Sequence, residues 1–202
     1  MTTLEIGFLA SHGGTSMRAI VGAIATGELS ARARIVIGNN ADAPALEFAR
    51  QNGIPCRHIS AKTEGSDAAA DAAIRSALET SKVEWVVMSG YLRKLGPQTL
   101  QRYRGRILNI HPALLPKFGG QGMYGRRIHE AVIVAGESVS GITVHLVDEE
   151  YDHGEIIAQH PVPVLPGDSV DDLQQRVTAA EPAFFVEVLK SIAARAGSSG
   201  AP

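Results

Sequence analysis

One stretch decides the fold: residues 4–27 have the sequence LEIGFLASHGGTSMRAIVGAIATG. Its first part, 4–10, is mostly apolar, which predicts a buried strand. After the glycine turn, apolar residues recur three and four positions apart, as on one face of a helix, at Met17, Ile20, Val21 and Ile24. Thr15 or Ser16 is expected to cap this helix, and Gly27 is expected to end it. The stretch therefore predicts a strand, a turn and a helix in succession.

The same alternation continues along the first half of the chain. Helices are predicted over 43–52 and 67–80, and apolar runs predict strands over 33–37, 55–59 and 83–88. Strands that alternate with helices favour parallel βαβ units, with helices on both faces of one sheet. Pro55 places the third strand toward an edge of that sheet, because proline cannot donate to a ladder.

The second half of the chain has a different pattern. It is predicted to contain a strand over 106–111, a glycine-rich segment over 118–125, a helix over 126–135, a hairpin-like pair of strands over 140–147 and 155–164, and a long amphipathic helix from Val170 to Ile192. The chain is therefore predicted to be one α/β domain over 1–196, with a mostly parallel sheet, an antiparallel C-terminal part and a flexible tail over 197–202.

Composition excludes several classes of protein. The 202 residues carry a net charge of −2, so no basic excess is available for a nucleic-acid backbone. The single cysteine, Cys56, has no partner for an internal disulfide, which favours a reducing compartment. No apolar run reaches the ~18 residues of a membrane span, and the N-terminus lacks the features of a signal peptide. We therefore expect a cytoplasmic protein that binds neither nucleic acid nor membrane.

The turn between the first strand and the first helix is a candidate anion site. Gly13 and Gly14 expose backbone N–H groups at the positive end of the helix dipole, and Thr15 and Ser16 add hydroxyl donors. The turn matches neither a dinucleotide nor a triphosphate motif. An ordinary turn that binds nothing is the alternative.

Two further segments carry polar residues of catalytic type. Asn109 and His111 lie two apart on a predicted strand, so they project to the same side, where an amide and an imidazole can donate to an oxyanion. Four carboxylates crowd the connection over 148–154, although a solvated acidic loop has the same composition. The seven histidines show no recognised ligand spacing, so no metal is expected.

Together these segments resemble the folate-dependent formyltransferase family. The resemblance is carried by Asn109, His111, the Pro-Ala-Leu-Leu-Pro run over 112–116, and Tyr-Asp-His-Gly over 151–154 ahead of an Ile-Ile strand. It implies a three-layer formyltransferase fold with a Rossmann-like N-terminal half. It also implies transfer of a formyl group from 10-formyltetrahydrofolate, the co-substrate, to the amine of glycinamide ribonucleotide in de novo purine biosynthesis, by a monomer or homodimer.

The resemblance also implies roles for single residues. Asn109 and a protonated His111 would hold the oxyanion that forms on the formyl group. Asp152 would keep His111 protonated and help to move the amine proton. Apart from the resemblance, His145 shares a strand face with Thr143 and Val147 and is expected behind the site, with a satisfied core histidine as the alternative. The ribonucleotide would contact Gly13, Gly14, Thr15, Ser16, Pro112 and Glu181. The folate would contact Leu92, Arg93, Lys94, Leu95, Asn109, Asp148, Glu149, Glu150, Tyr151 and Asp152.

Alternatives follow from the same residues. The acceptor can be another amine, such as an amino sugar carried on a nucleotide, or the chain can be a non-catalytic folate- or nucleotide-binding homologue. The chain departs from the family pattern at Asp67, Lys94, His153 and Pro182. The glycine-rich segment over 118–125 is either a lid over the site or a plain connector.

Overall fold

The computed structural model describes residues 3–198, which form one seven-stranded sheet with helices packed on it. The strands are β1 (Leu4–Ala10), β2 (Ala31–Gly38), β3 (Cys56–His58), β4 (Trp85–Met88), β5 (Ile107–His111), β6 (Val139–Leu146) and β7 (Ile156–Pro163). The helices are α1 (Thr15–Ala25), α2 (Pro44–Gln51), α3 (Ala61–Glu64), α4 (Asp67–Thr80), α5 (Pro97–Arg102), α6 (Arg126–Val134) and α7 (Val170–Ser198).

The strand order is β3-β2-β1-β4-β5-β6-β7. The first five strands in this order are parallel, whereas β6 pairs antiparallel with both β5 and β7. The predicted α/β fold, with a mostly parallel sheet and an antiparallel C-terminal part, is confirmed. The short strand that contains Cys56 lies at the edge, as its neighbouring proline predicted.

Side chains of the central strands β1 and β4 are buried on both faces of the sheet, as their largely apolar runs predicted. On β2, Val36 packs into the core beneath α1, α2 and α7, whereas Ile35 and Ile37 pack into the core beneath α4 and α5. A third cluster joins α6, α7 and the antiparallel strands. The domain therefore has three layers: helices, sheet and helices.

Two short helices, α3 and α5, lie where the sequence analysis predicted none. They have four and six residues, too few to show a helical period, and both depend on capping. The Ser60 side chain caps α3. The buried carboxylate of Asp71, on α4, accepts the N–H groups of Gln98 and Thr99 at the start of α5.

The expected cap of α1 is wrong. The helix begins at Thr15 after Gly14, which adopts a left-handed conformation, and no side chain caps it.

At the other end of the chain, Ser169 and Asp172 exchange hydrogen bonds at the start of α7. This helix continues through Ser198 and so includes two residues of the predicted tail; residues 199–202 lie outside the described residues, and the tail stays a prediction.

The order of the strands determines where a site can form. From β1 the chain first builds outward through β2 and β3, and then returns to add β4 and β5 on the other side of β1. In parallel sheets, ligands bind at the carboxyl ends of strands where the order reverses in this way. That point lies between β1 and β4.

Candidate active site

A cleft of about 780 Å³ opens at this reversal point. Its wall is built from the residues that follow three parallel strands: 12–16 after β1, 88–93 around the end of β4, and 109–112 at the end of β5. The glycine-rich segment contributes 120–125, and the wall is completed by Ile128, Tyr151, Asp152 and Glu181. The predicted catalytic residues and all six predicted ribonucleotide contacts therefore line one cleft.

His111 ends β5 with its ring buried and both ring nitrogens facing oxygen atoms. Nε2 lies 2.9 Å from the carbonyl oxygen of Phe118, to which it donates. Nδ1 lies 3.4 Å from Oδ2 of Asp152. A neutral imidazole carries one hydrogen and satisfies only one of these acceptors, whereas the protonated ring satisfies both. The His111 ring thus lies between a carbonyl oxygen and a carboxylate oxygen, both of which are acceptors.

Asp152 is held by the loop between β6 and β7 in a left-handed conformation, with φ of 55°. Its Oδ2 accepts the N–H of Gly120 at 3.0 Å, and its Oδ1 lies 3.6 Å from Nε2 of His145. Burial raises the pKa of Asp152, but contacts with the His111 ring and the Gly120 N–H outweigh it and hold the pKa below its ordinary value. Asp152 is therefore a carboxylate at neutral pH.

His145 lies behind Asn109 and is almost fully buried on β6. Its Nδ1 donates to the carbonyl oxygen of Leu146 at 2.8 Å, so in the neutral ring Nε2 is an acceptor. The Asn109 amide nitrogen lies 3.1 Å from that atom and donates to it. One amide hydrogen of Asn109 is thereby fixed, and the second is left for a molecule in the cleft.

The turn between β1 and α1 presents its backbone to the cleft. Within residues 3–198, the N–H groups of Gly13, Gly14, Thr15 and Ser16 donate to no protein acceptor. The next N–H, of Met17, donates to Oγ of Ser89. The missing side-chain cap thus leaves consecutive donors at the positive end of α1, which is the arrangement that binds anions.

Glu181, on α7, is a carboxyl group without a partner. It accepts no hydrogen bond or ion pair from the described residues, although it lines the cleft. Burial raises the pKa of Glu181 to about 7, against a smaller opposing effect of His111. A hydroxyl group of a ligand can supply the hydrogen-bond donor that the Glu181 carboxyl needs.

The predicted folate contacts separate into two groups. Leu92, Arg93 and Tyr151 line the cleft with Asn109 and Asp152, and Leu92 and Tyr151 are exposed apolar surfaces beside it. The other predicted folate contacts do not line the cleft: Lys94, Leu95, Asp148, Glu149 and Glu150. The Leu95 side chain is buried in the core, and Lys94 Nζ lies 5.6 Å from the centre of the Tyr151 ring.

The acidic members of the predicted folate set shape the loop that carries Asp152. Glu149 and Glu150 are exposed and lie outside the cleft wall. Asp148 accepts hydrogen bonds from the backbone of Glu150 and from Nδ1 of His153. These two hydrogen bonds stabilise the turn that carries Asp152.

Several residues of the site were missed by the sequence analysis. Ser89, Gly90 and Tyr91 follow β4, and burial raises the pKa of Tyr91 to about 12. In the sequence, these residues could have been identified by the Ser-Gly pair that directly follows a buried strand. Phe118 and Gly120 act through backbone atoms on His111 and Asp152, and no side-chain pattern identifies such contacts.

Comparison with known proteins identifies the family of the chain. A family profile described as formyl transferase matches residues 4–189. The chain belongs to the formyl transferase family. The predicted resemblance is thereby confirmed.

Individual relatives cover most of the chain. The phosphoribosylglycinamide formyltransferase of Haemophilus influenzae is 38% identical over 186 residues, 92% of this chain and 85% of that protein. The chloroplastic phosphoribosylglycinamide formyltransferase of Arabidopsis thaliana is 38% identical over 189 residues, 93% of this chain. The chain spans 65% of that relative's length and 60% of its counterpart from Vigna unguiculata.

A solved structure shows the same fold. Glycinamide ribonucleotide transformylase 1 from Symbiobacterium toebii superposes with a TM-score of 0.87 at 37% identity, covering 95% of this chain and 88% of that one.

Within residues 3–198, every helix is too short or too polar to cross a membrane. Over the same range, no three His, Cys, Asp or Glu side chains are grouped so as to hold a metal ion.

Proposed function

We propose that this protein transfers a formyl group from 10-formyltetrahydrofolate to the amine of glycinamide ribonucleotide, a step of de novo purine biosynthesis. One observation carries the proposal: Asn109, His111 and Asp152 meet in a single cleft with the turn that presents free N–H groups. The names of the relatives from Haemophilus influenzae and Arabidopsis thaliana support the same reaction.

The cleft has the size and surfaces for two substrates. A volume of about 780 Å³ lies in the range of sites that enclose drug-sized molecules. The exposed surfaces of Leu92 and Tyr151 suit the apolar pterin of the folate. The folate supplies the formyl carbon that the amine attacks. The bond between this carbon and N10 of the folate then breaks, and tetrahydrofolate leaves with a proton on N10 in place of the one that the amine has lost.

The catalytic residues act on the oxygen and the proton of this reaction. The free amide hydrogen of Asn109 donates to the formyl oxygen as negative charge develops on it, and the positive charge of the His111 ring stabilises that negative charge. Asp152 keeps His111 protonated and, as an ionised carboxylate, accepts the proton that the attacking amine must lose. His145 positions Asn109 by accepting a hydrogen bond from its amide nitrogen.

The ribonucleotide occupies the other polar features of the cleft. Its phosphate binds the N–H groups of Gly13 to Ser16, and its ribose hydroxyls donate to Glu181, with Pro112 alongside. A phosphate monoester suits this site, which is made of backbone N–H groups and contains no lysine. Hydrogen bonds from the ribose stabilise the ionised form of Glu181 and offset the cost of its burial.

We further propose that the protein works in the cytoplasm as a monomer or homodimer. The free thiol of Cys56 supports a reducing compartment. Its oligomeric state is measured by light scattering on the purified chain.

The proposed reaction is tested by following formyl transfer with purified protein. Wild type receives 10-formyltetrahydrofolate with glycinamide ribonucleotide in one reaction and a nucleotide-linked amino sugar in a parallel one. We expect product with glycinamide ribonucleotide only. Turnover of the amino sugar alone assigns a different acceptor, and binding of both substrates without turnover indicates a non-catalytic homologue.

A further inference from the structure

Arg18 lies behind the turn between β1 and α1, on its solvent side. Its Nε donates to the carbonyl oxygen of Gly13 at 2.8 Å, and its Nη2 donates to the carbonyl oxygen of Pro44 at 3.0 Å. The guanidinium also lies over the ring of Phe48, 4.6 Å from its centre. Pro44 and Phe48 belong to α2, so Arg18 links the turn to a neighbouring helix.

The bond to Gly13 determines the direction of a peptide group. In a trans peptide, the C=O of one residue and the N–H of the next point in opposite directions. Because Arg18 holds the Gly13 carbonyl on the outer side, the Gly14 N–H must point the opposite way. Gly13 and Gly14 both line the cleft, and the Gly14 N–H has no protein acceptor within residues 3–198.

A peptide between two glycines is the one most in need of such a bond. Glycine has no Cβ to restrict its torsion angles, so this peptide can rotate with little steric cost. Rotation would turn the Gly13 carbonyl, a partial negative charge, into the anion site. The neighbouring carbonyls are already held, since His12 accepts the N–H of Ala45 and Gly14 accepts the N–H of Arg18. The side chain of Arg18 supplies the remaining restraint.

We infer that Arg18 is a positioning residue for the phosphate site: it fixes the Gly13–Gly14 peptide so that the Gly14 N–H donates to the phosphate monoester of the ribonucleotide. The inference rests on the proposed function, which places that phosphate at this turn. Arg18 makes no contact with the catalytic residues, so its effect falls on ribonucleotide binding and not on turnover.

The test compares two substitutions that differ in charge. Arg18→Met removes the charge and the Nε donor together. Arg18→Lys keeps the charge, but lysine has a methylene group at the position of Nε. We expect both variants to raise the KM for glycinamide ribonucleotide about tenfold, as for loss of one charge-assisted hydrogen bond. The KM for the folate and kcat stay within twofold of wild type. Arg50→Gln removes a cation from the exposed face of α2, where it pairs with Glu47, and serves as the matched control.

A second readout does not depend on turnover. Inorganic phosphate is titrated into 15N-labelled protein, and the Gly14 amide signal is followed by NMR. Wild type should show a saturable shift of this signal, whereas Arg18→Lys should bind phosphate about tenfold more weakly. It should also show a broadened Gly14 signal in the absence of phosphate, because the peptide exchanges between two orientations.

The outcomes separate the two proposals. A KM for Arg18→Lys within twofold of wild type would show that only charge matters, and would overturn the positioning role. Equal losses in both KM values and in kcat would indicate general damage and overturn it as well. Wild type that transfers no formyl group to glycinamide ribonucleotide contradicts the proposed function itself, while the phosphate titration still reports on Arg18.

Discussion

The two polar regions of the cleft are built in opposite ways. In the turn between β1 and α1, backbone N–H groups face the cleft, and side chains such as Arg18 and Ser89 bond to the backbone behind them. Around His111 and Asp152, side chains face the cleft, and the backbone of Phe118 and Gly120 holds them. Fixed dipoles bind an anion without titrating, whereas the transfer of a proton requires groups that can titrate. Substitutions in the two regions should therefore change different kinetic constants.

The largest effect is expected from Asp152→Asn. The amide carries no negative charge to keep His111 protonated and accepts no proton, so kcat should fall by about a thousandfold. Asparagine tolerates the left-handed backbone at this position, so the fold should persist. Steady-state kinetics and circular dichroism measure the two properties.

The matched control for Asp152 is Glu155→Gln, which neutralises an exposed carboxylate further along the same connection. It should leave kcat unchanged. His111→Ala and Asn109→Ala should each lower kcat by roughly a hundred- to a thousandfold, as for removal of an oxyanion donor. Activity of Asp152→Asn within a few-fold of wild type would remove Asp152 from the reaction.

The second effect tests the backbone region. Gly14→Val places a β-branched side chain on a backbone with φ of 62° and a Cβ only 3.0 Å from the end of Met17. The turn must rearrange, so the KM for glycinamide ribonucleotide should rise by about a hundredfold while folate binding is kept. Gly22→Ala, on the exposed face of the same helix, has open space around its Cβ and is the control. Equal loss of both substrates would indicate damage to the fold.

The third effect concerns Glu181, which belongs to neither region. Its pKa is raised from 4.5 to about 7 in the folded protein, so the folded state binds more protons than the unfolded state between these values. Stability should therefore fall as pH rises through this window, by ~2 kcal/mol for a carboxyl group that is only partly buried.

Glu181→Gln removes this dependence. The free energy of unfolding of the variant, from urea titrations, should match wild type near pH 4.5 and exceed it above pH 7. Glu187→Gln, on the exposed face of the same helix, is the comparison variant. An equal difference at both pH values would mean that the Glu181 carboxyl is not buried in an uncharged form.

The smallest effect is expected from the tip of the glycine-rich segment. Gly119 and Gly120 must remain, since a Cβ on Gly119 would lie 2.4 Å from Leu115 and the Gly120 N–H holds Asp152. Removal of residues 121–124 shortens only the part that lines the cleft. If this tip excludes water, hydrolysis of the formyl-folate should rise a few-fold relative to transfer. Unchanged partitioning between hydrolysis and transfer would make the tip a connector.

Much of the fold was predictable because its signals are local. Strands β1 and β4 lie in largely apolar runs, and α4 begins and ends at the residues expected from its alanine-rich sequence. The side-chain part of the site was predictable as well, since Asn109 and His111 share one face of a strand. The position of Asp152 opposite His111 came from the family resemblance, because pairing of β5 with β6 is a long-range contact.

The remaining features depend on tertiary contacts of the backbone. The cap of α1 was mispredicted because Thr15 and Ser16 lie inside the helix, and a glycine precedes them. The start of α5 depends on Asp71, 27 positions away. Leu95 lies in the segment predicted to contact folate, but its side chain packs in the core. The spacing of residues in the sequence does not separate a core residue from a ligand contact within this segment.

The division between the two regions is tested most directly by a crystal structure of the protein with glycinamide ribonucleotide. The account predicts the phosphate within hydrogen-bond distance of the N–H groups of Gly14, Thr15 and Ser16, the ribose hydroxyls on Glu181, and the amine beside Asn109, His111 and Asp152. A phosphate bound instead by Arg126 and Arg127, with no density at the turn, would contradict it.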